Sequence, residues 1–376
     1  MIRIFATLAA GALLGAPPPL PPPLAAQGAT ETAGFLWRLG TDTTNVERFT
    51  RAPGRLEGVH LTRVPQTTLR EWSADVAPDG SVRRFEQTLR RDGIVLSRRA
   101  ITFRGDSATD VFTRGDSTTT RTIALPPGTM LDLPNSYAFY ELALRRGAGR
   151  VSLSVPLLAP GARAVESATF TRAAGDSMII QLEGLPPITA RVDRDGRILS
   201  ANNLGTTVER VAAPDVHALA AAFGSRPLGP LSPRDTVRAV IRGARVAVDY
   251  SRPARRGRVV FGGLVPWDRV WRTGANRTTT LITDADLVIG GVTVPAGSYA
   301  LWTIPAPSAW TLIISRNVGS GLEYAAEHDV ARVPLRSEAV PQLAERLTIA
   351  LEPRDGGGVL SFVWEHTQAS IAVARK

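Results

Sequence analysis

Between residues 250 and 276 the chain gathers side chains that could grip a ligand: Tyr250-Ser251-Arg252-Pro253, then Arg256-Gly257-Arg258, then Trp271-Arg272-Thr273-Gly274-Ala275-Asn276. Guanidinium forks recognise planar anions in a bidentate manner. Indole faces stack on sugars, rings or cations. An amide such as that of Asn276 orients a ligand through one donating and one accepting end. Tyr250, Ser251, Arg252, Arg258, Trp271, Arg272 and Asn276 are therefore the candidate binding residues, and they would suit an anionic or glycan-like ligand. The same residues also have a structural reading. Trp271 can be the core tryptophan of a two-sheet domain, and Arg272 and Asn276 can tie loops to backbone carbonyls.

Arrangements for catalysis are sparse. The chain has no cysteine, and Lys376 is its single lysine, which removes thiol nucleophiles, interior Schiff-base lysines and P-loops. Neither a G-x-S-x-G elbow nor an H-E-x-x-H helix is present. His60, His217, His328 and His366 lie far apart in sequence, without the spacing of a zinc site. No metal and no cofactor is expected. Glu323, Glu327 and Asp329 read as a solvated loop. A hydrolase would have to rely on carboxylates such as Asp249 or Asp284, with Arg272 as electrostatic stabiliser.

The elements that must position these residues are strands. From 28 to 213, segments such as RLEGVHLTRV, TTLREWSADV and SVRRFEQTLR alternate apolar with polar residues, the period of a half-buried strand. Turn sequences separate them: APDGS at 77–81, RDG at 91–93, RGDS at 104–107 and again at 114–117. Turn chemistry accounts for both RGDS copies without an adhesion receptor. The reading is an antiparallel meander, a curved sheet or half-barrel. One short amphipathic helix interrupts it near 135–149, ending at Gly147.

Residues 214–236 read as a linker: Asp215 caps a short helix, Gly224 ends it, and a proline-rich stretch follows in which few contacts are expected to cross. From 237 to 376, short strands bounded by Gly, Pro, Asp or Asn predict a β-sandwich or jelly-roll-like domain. Among them, VRAVIRGARVAVDYS and TTTLITDADLVIGG each read as one strand. Trp302, Trp310 and Trp364 read as core residues. The fold class is all-β throughout.

This last third resembles a family of exported bacterial domains known only as a domain of unknown function. The hallmark pieces Y-S-R-P, G-R-x-x-F-G-G-L-V-P, V-W-R-T-G-A-N-x-x-T and P-A-G-x-Y-x-L-x-x-I-P all occur here in order. The resemblance implies a fold partner and a site, but no reaction. In the region before it no family is recognised.

Targeting is read from residues 1–27. A short basic start, the apolar run Ile4–Ala16 and the small residues around Ala26 read as a signal peptide, with cleavage near Ala26 or Gln27. No later stretch approaches the roughly 20 apolar residues of a membrane helix. The expectation is an exported chain, periplasmic or extracellular. Its net charge is +10, but nearly all of it is arginine, and only Arg252–Arg258 is a dense run. That pattern argues for anionic ligands or envelope surfaces rather than nucleic acid. The functional expectation is a non-catalytic binding module for an anionic or glycan-like ligand or an envelope component. The alternatives are a structural or lipid-carrier-like module and an extracytoplasmic hydrolase.

Overall fold

The computed structural model describes residues 30–376 apart from 184, 204, 225, 308 and 320–323. The expected signal segment, 1–27, and Glu323 lie outside the described residues.

The first half of the chain builds one sheet of fifteen strands. β1 (Glu31–Leu39), β2 (Asp42–Ala52), β3 (Arg55–Thr62) and β4 (Thr68–Val76) open a meander. β5 (Val82–Arg91), β6 (Ile94–Arg104), β7 (Ser107–Arg114) and β8 (Ser117–Ala124) extend it outward. After a short β9 (Met130–Leu131) and helix α1 (Tyr137–Arg146), the chain returns through β10 (Ser152–Leu158), β11 (Glu166–Arg172) and β12 (Ser177–Leu182). β13 (Ile188–Val192), β14 (Ile198–Asn203) and β15 (Thr206–Val211) complete the return, and β15 pairs with β1. β1 and β15 therefore lie at the middle of the order, with β8 and β9 at opposite ends.

That order forces curvature. Laid flat, fifteen strands would span about 67 Å at the usual ~4.8 Å spacing. Residues 125–129 alone join β8 to β9, and so short a link reaches roughly 20 Å. The sheet must curl until its edges nearly meet, although no ladder joins β8 to β9.

Helix α1 fills the hollow. Phe139 packs on Trp72 at 5.0 Å and on Phe85 at 6.1 Å, while Tyr137 meets Phe35 at 5.5 Å. All residues from Tyr137 to Leu144 are buried, including Glu141. The helix expected near 135–149 is thus present and ends at Gly147, but it is not amphipathic toward water. A helix enclosed by a curled sheet has no solvent face for a polar stripe to occupy.

Helix α2 (Val216–Gly224) lies on the outer side of the same sheet, where Val216 packs with Val46 and Leu61. Asp215 accepts the Ala218 N–H at 3.0 Å, the cap its position implied. The Arg63 guanidinium sits over the Phe223 ring at 3.9 Å and donates to the Arg226 carbonyl at 2.9 Å. The proline-rich segment begins docked on the first sheet.

The second sheet has nine strands. β16 (Arg234–Ile241), β17 (Ala244–Ser251), β18 (Thr279–Thr283), β19 (Leu287–Ile289) and β20 (Val292–Val294) precede β21 (Gly297–Ile304) and β22 (Trp310–Ser315). Two long strands, β23 (Asp329–Arg354) and β24 (Gly357–Arg375), finish the chain. β23 pairs first with β22 and then with β24, so it serves two layers. The core lies between them: Tyr250 is buried, and its hydroxyl accepts the Ile349 N–H at 3.0 Å.

Several strand boundaries differ from the sequence reading. VRAVIRGARVAVDYS is a hairpin, because Arg242 and Gly243 both adopt positive φ (49° and 85°) and turn the chain. TTTLITDADLVIGG divides into β18 and β19, separated by an Asp284–Asp286 bend. VLSFVWEH and SIAVARK, by contrast, form one strand. Glu365, near the end of the first segment, takes φ 53° beside the register shifts that kink β23 and β24 without ending them.

Candidate functional site

The hallmark loop that follows β17 folds inward. Arg252 donates to the Leu347 carbonyl (3.3 Å), the Thr348 hydroxyl (3.1 Å) and Asp235 (3.1 Å). Arg258 donates to the Arg255 and Ala254 carbonyls at 2.9 and 2.8 Å, closing its own loop. Arg255 pairs with Glu365 at 3.0 Å, and the Arg256 N–H is held by Glu345 at 2.7 Å. Ser251 is buried. The structure brings Tyr250, Ser251, Arg252 and Arg258 together, but it supplies their polar atoms with partners from the chain itself.

Trp271 and Asn276 occupy a different place. Trp271 exchanges backbone hydrogen bonds with Thr303 at 2.7 and 2.8 Å, stacks on Trp364 at 5.9 Å and donates to the Gly274 carbonyl at 3.2 Å. Phe261 seals this aromatic layer against Trp310 at 4.8 Å. Asn276 is exposed and adopts φ 59° in the turn before β18. Of the carboxylates considered for hydrolysis, Asp249 pairs with Arg234 at 2.8 Å and Asp284 with Arg245 at 2.6 Å.

Arg272 follows from strand geometry. Trp271 and Thr303 oppose one another and share the core-facing side, so their neighbours Arg272 and Trp302 belong to the other face. Arg272 is half-buried there, and burial lowers its pKa.

That outer face carries a second hydrophobic cluster, separate from the core. Ala300, Trp302 and Ile313 form it, with Ile304 and Tyr324 against them. Trp302, Ile313 and Arg332 are directly cross-strand neighbours on β21, β22 and β23. Tyr324 meets the Trp302 ring edge-on at 5.4 Å. Its hydroxyl donates to Asp329 at 2.5 Å and accepts from Arg332, while Arg332 also donates to Asp329 at 2.8 Å. Burial first, then the Asp329 contact, raises the Tyr324 pKa.

Two polar atoms of this face are buried without a hydrogen-bond partner among the described residues: the Trp302 Nε1 donor and the Asp329 Oδ1 acceptor. Trp302, read as a core residue, is indeed buried. It is only 5% exposed, and its burial is on the face opposite the main core. The signal was in the alternation: Tyr299, Leu301 and Thr303 point one way, so Ala300, Trp302 and Ile304 must point the other. Tyr324, Asp329 and Arg332 have no comparable sequence signal, because only the pairing of β22 with β23 brings them over Trp302. Among the described residues no group of His, Cys, Asp and Glu side chains is placed to hold a metal ion. No helix among the described residues is long and apolar enough to cross a membrane.

The fold is that of an all-β chain with two separate sheets, the second carrying a polar-aromatic outer face. Residues 232–373, which build that second sheet, match the family described as a protein of unknown function, DUF2911. No curated protein matches the chain. Among solved structures it is similar to a DUF1089 family protein from Pseudomonas aeruginosa, at 16% identity and a TM-score of 0.33, over 42% of this chain and 89% of that one. It is also similar to a beta-barrel-like protein of the domain of unknown function DUF1849 from Brucella abortus, at 12% identity and a TM-score of 0.34, over 48% of this chain and 94% of that one.

Proposed function

We propose that this chain is an exported, non-catalytic binding protein that holds an anionic, hydroxyl-bearing ligand, such as an acidic glycan, on the outer face of its second sheet. The observation that carries this reading is the pair of unpartnered buried atoms, Trp302 Nε1 and Asp329 Oδ1, on residues that both contact Tyr324. Unpartnered buried polar groups are costly. A ligand hydroxyl can accept from one such atom and donate to another. The Trp302 and Tyr324 rings offer apolar surface for a sugar, and Arg332 supplies positive charge for a carboxylate or phosphate. The short apolar run Ile4–Ala16 supports export. A carrier that opens its first sheet to a lipid is the weaker reading, because helix α1 already fills that hollow.

Calorimetric titration with a galacturonic-acid oligomer, against an uncharged glucose oligomer of equal length, tests the proposal. Binding of the acidic oligomer should weaken with salt, and Arg332→Met should reduce its affinity at least tenfold. Equal or absent binding of both oligomers would refute it.

A further inference from the structure

The hallmark arginines are bonded within the chain, and one of them reaches beyond its own sheet. Arg256 forms an ion pair with Asp42, which opens β2 of the first sheet. Its side chain is only 11% exposed despite its position in a surface loop. Next to Asp42, Gly40 (φ +62°) lies so close that an added Cβ would stand 1.6 Å from the Arg256 carbonyl oxygen. Only a residue without a side chain permits two backbones to approach in this way. A second tip arrives beside the first. An added Cβ at Gly205, in the turn between β14 and β15, would lie 3.1 Å from Arg258 Cδ and 3.8 Å from Leu264 Cδ1.

We infer that the 252–265 loop of the second sheet is a docking surface, and that its partner is the pair of glycine turn tips at Gly40–Asp42 and Gly205 of the first sheet. The loop's shape is held by contacts within the second sheet's own segment. Arg256 holds φ 50° with its N–H fixed by Glu345, and Arg258 is folded back on the carbonyls of Ala254 and Arg255. The Arg256 guanidinium is thereby aimed outward at an acidic turn. β1 and β2, and β14 and β15, meet in the middle of the first sheet, so docking grips that sheet at its centre. The two sheets then move as one body, and the proline-rich segment between them does not act as a hinge.

The absence of cysteine makes a distance measurement clean. Spin labels on Thr189→Cys and Val240→Cys, both exposed and one on each sheet, should give a single narrow distance distribution in the full chain. Gly40→Ala and Arg256→Met should each broaden it. Gly93→Ala is the control, since Gly93 has a similar positive φ (+78°) but nothing within 4 Å of an added Cβ; it should leave the distribution narrow. A broad distribution in the parent chain, or one unchanged by both Gly40→Ala and Arg256→Met, overturns the inference. If Gly40→Ala loses its circular dichroism signal, Arg256→Met decides alone.

Discussion

Glu141 and Arg210 form an ion pair inside the first sheet, with Arg210 Nη1 2.5 Å from a carboxylate that is fully buried. The opposite carboxylate oxygen takes Arg51 at 2.7 Å. Both arginines turn their other arm to Glu31, at 2.7 and 2.8 Å. Each guanidinium thus spans two carboxylates, and helix α1 is clamped to β1, β2 and β15 from within.

Removing the central charge should be expensive. Glu141→Gln leaves Arg51 and Arg210 partly unpaired in a buried site, a loss of about 3–5 kcal/mol. Glu31→Gln should cost less, because Glu31 is 23% exposed and water can replace part of what it gives. Urea unfolding of the two variants beside the parent measures the difference; equal losses would show that burial of Glu141 does not set the cost.

Stability should depend on pH in two opposed windows. Burial pushes the Glu47 carboxyl up from 4.5 to about 8 and the His60 imidazole down from 6.5 to about 3. The two residues are cross-strand partners on β2 and β3, so the fold holds both in neutral form. Glu47 binds its proton more tightly when folded, so its contribution is full below about 4.5 and is lost as pH rises to about 8. His60 binds its proton less tightly when folded, so its contribution is full above about 6.5 and is lost as pH falls toward about 3. Between about 4.5 and 6.5 the two slopes cancel. Unfolding midpoints across pH should show that Glu47→Gln removes the alkaline fall and His60→Phe the acid fall. Parallel curves for parent and variants would contradict the assignment.

Asn276 should matter for its backbone and not for its amide. At φ 59° and exposed, it can be replaced by glycine without strain, whereas a β-branched residue costs about 1–2 kcal/mol there. Thermal melts of Asn276→Gly and Asn276→Val should separate in that order, and titration of Asn276→Gly should match the parent. Loss of affinity in Asn276→Gly would make the amide a ligand contact.

The sequence by itself determined what is local. Alternation at period two marked the strands, and pairs such as Asp92-Gly93, at φ 49° and 78°, marked their turns. It also located the region of the second sheet through the motifs from Tyr250 onward. Alternation cannot say what covers a face, and this is where the reading fell short. Arg252 and Arg258 looked available because their acceptors, the carbonyls of Leu347 and of their own loop, become visible only when the chain closes. Trp302 was read as core and is buried, but that a second cluster covers its side of the sheet was not written in its apolar character. Nothing in the sequence announced that the curled sheet would enclose Glu141 with two arginines 69 and 90 residues away in sequence. Those pairings depend on how fifteen strands close around a five-residue crossing. Contacts between residues so far apart follow from the path of the whole chain, and only the tertiary structure decided them.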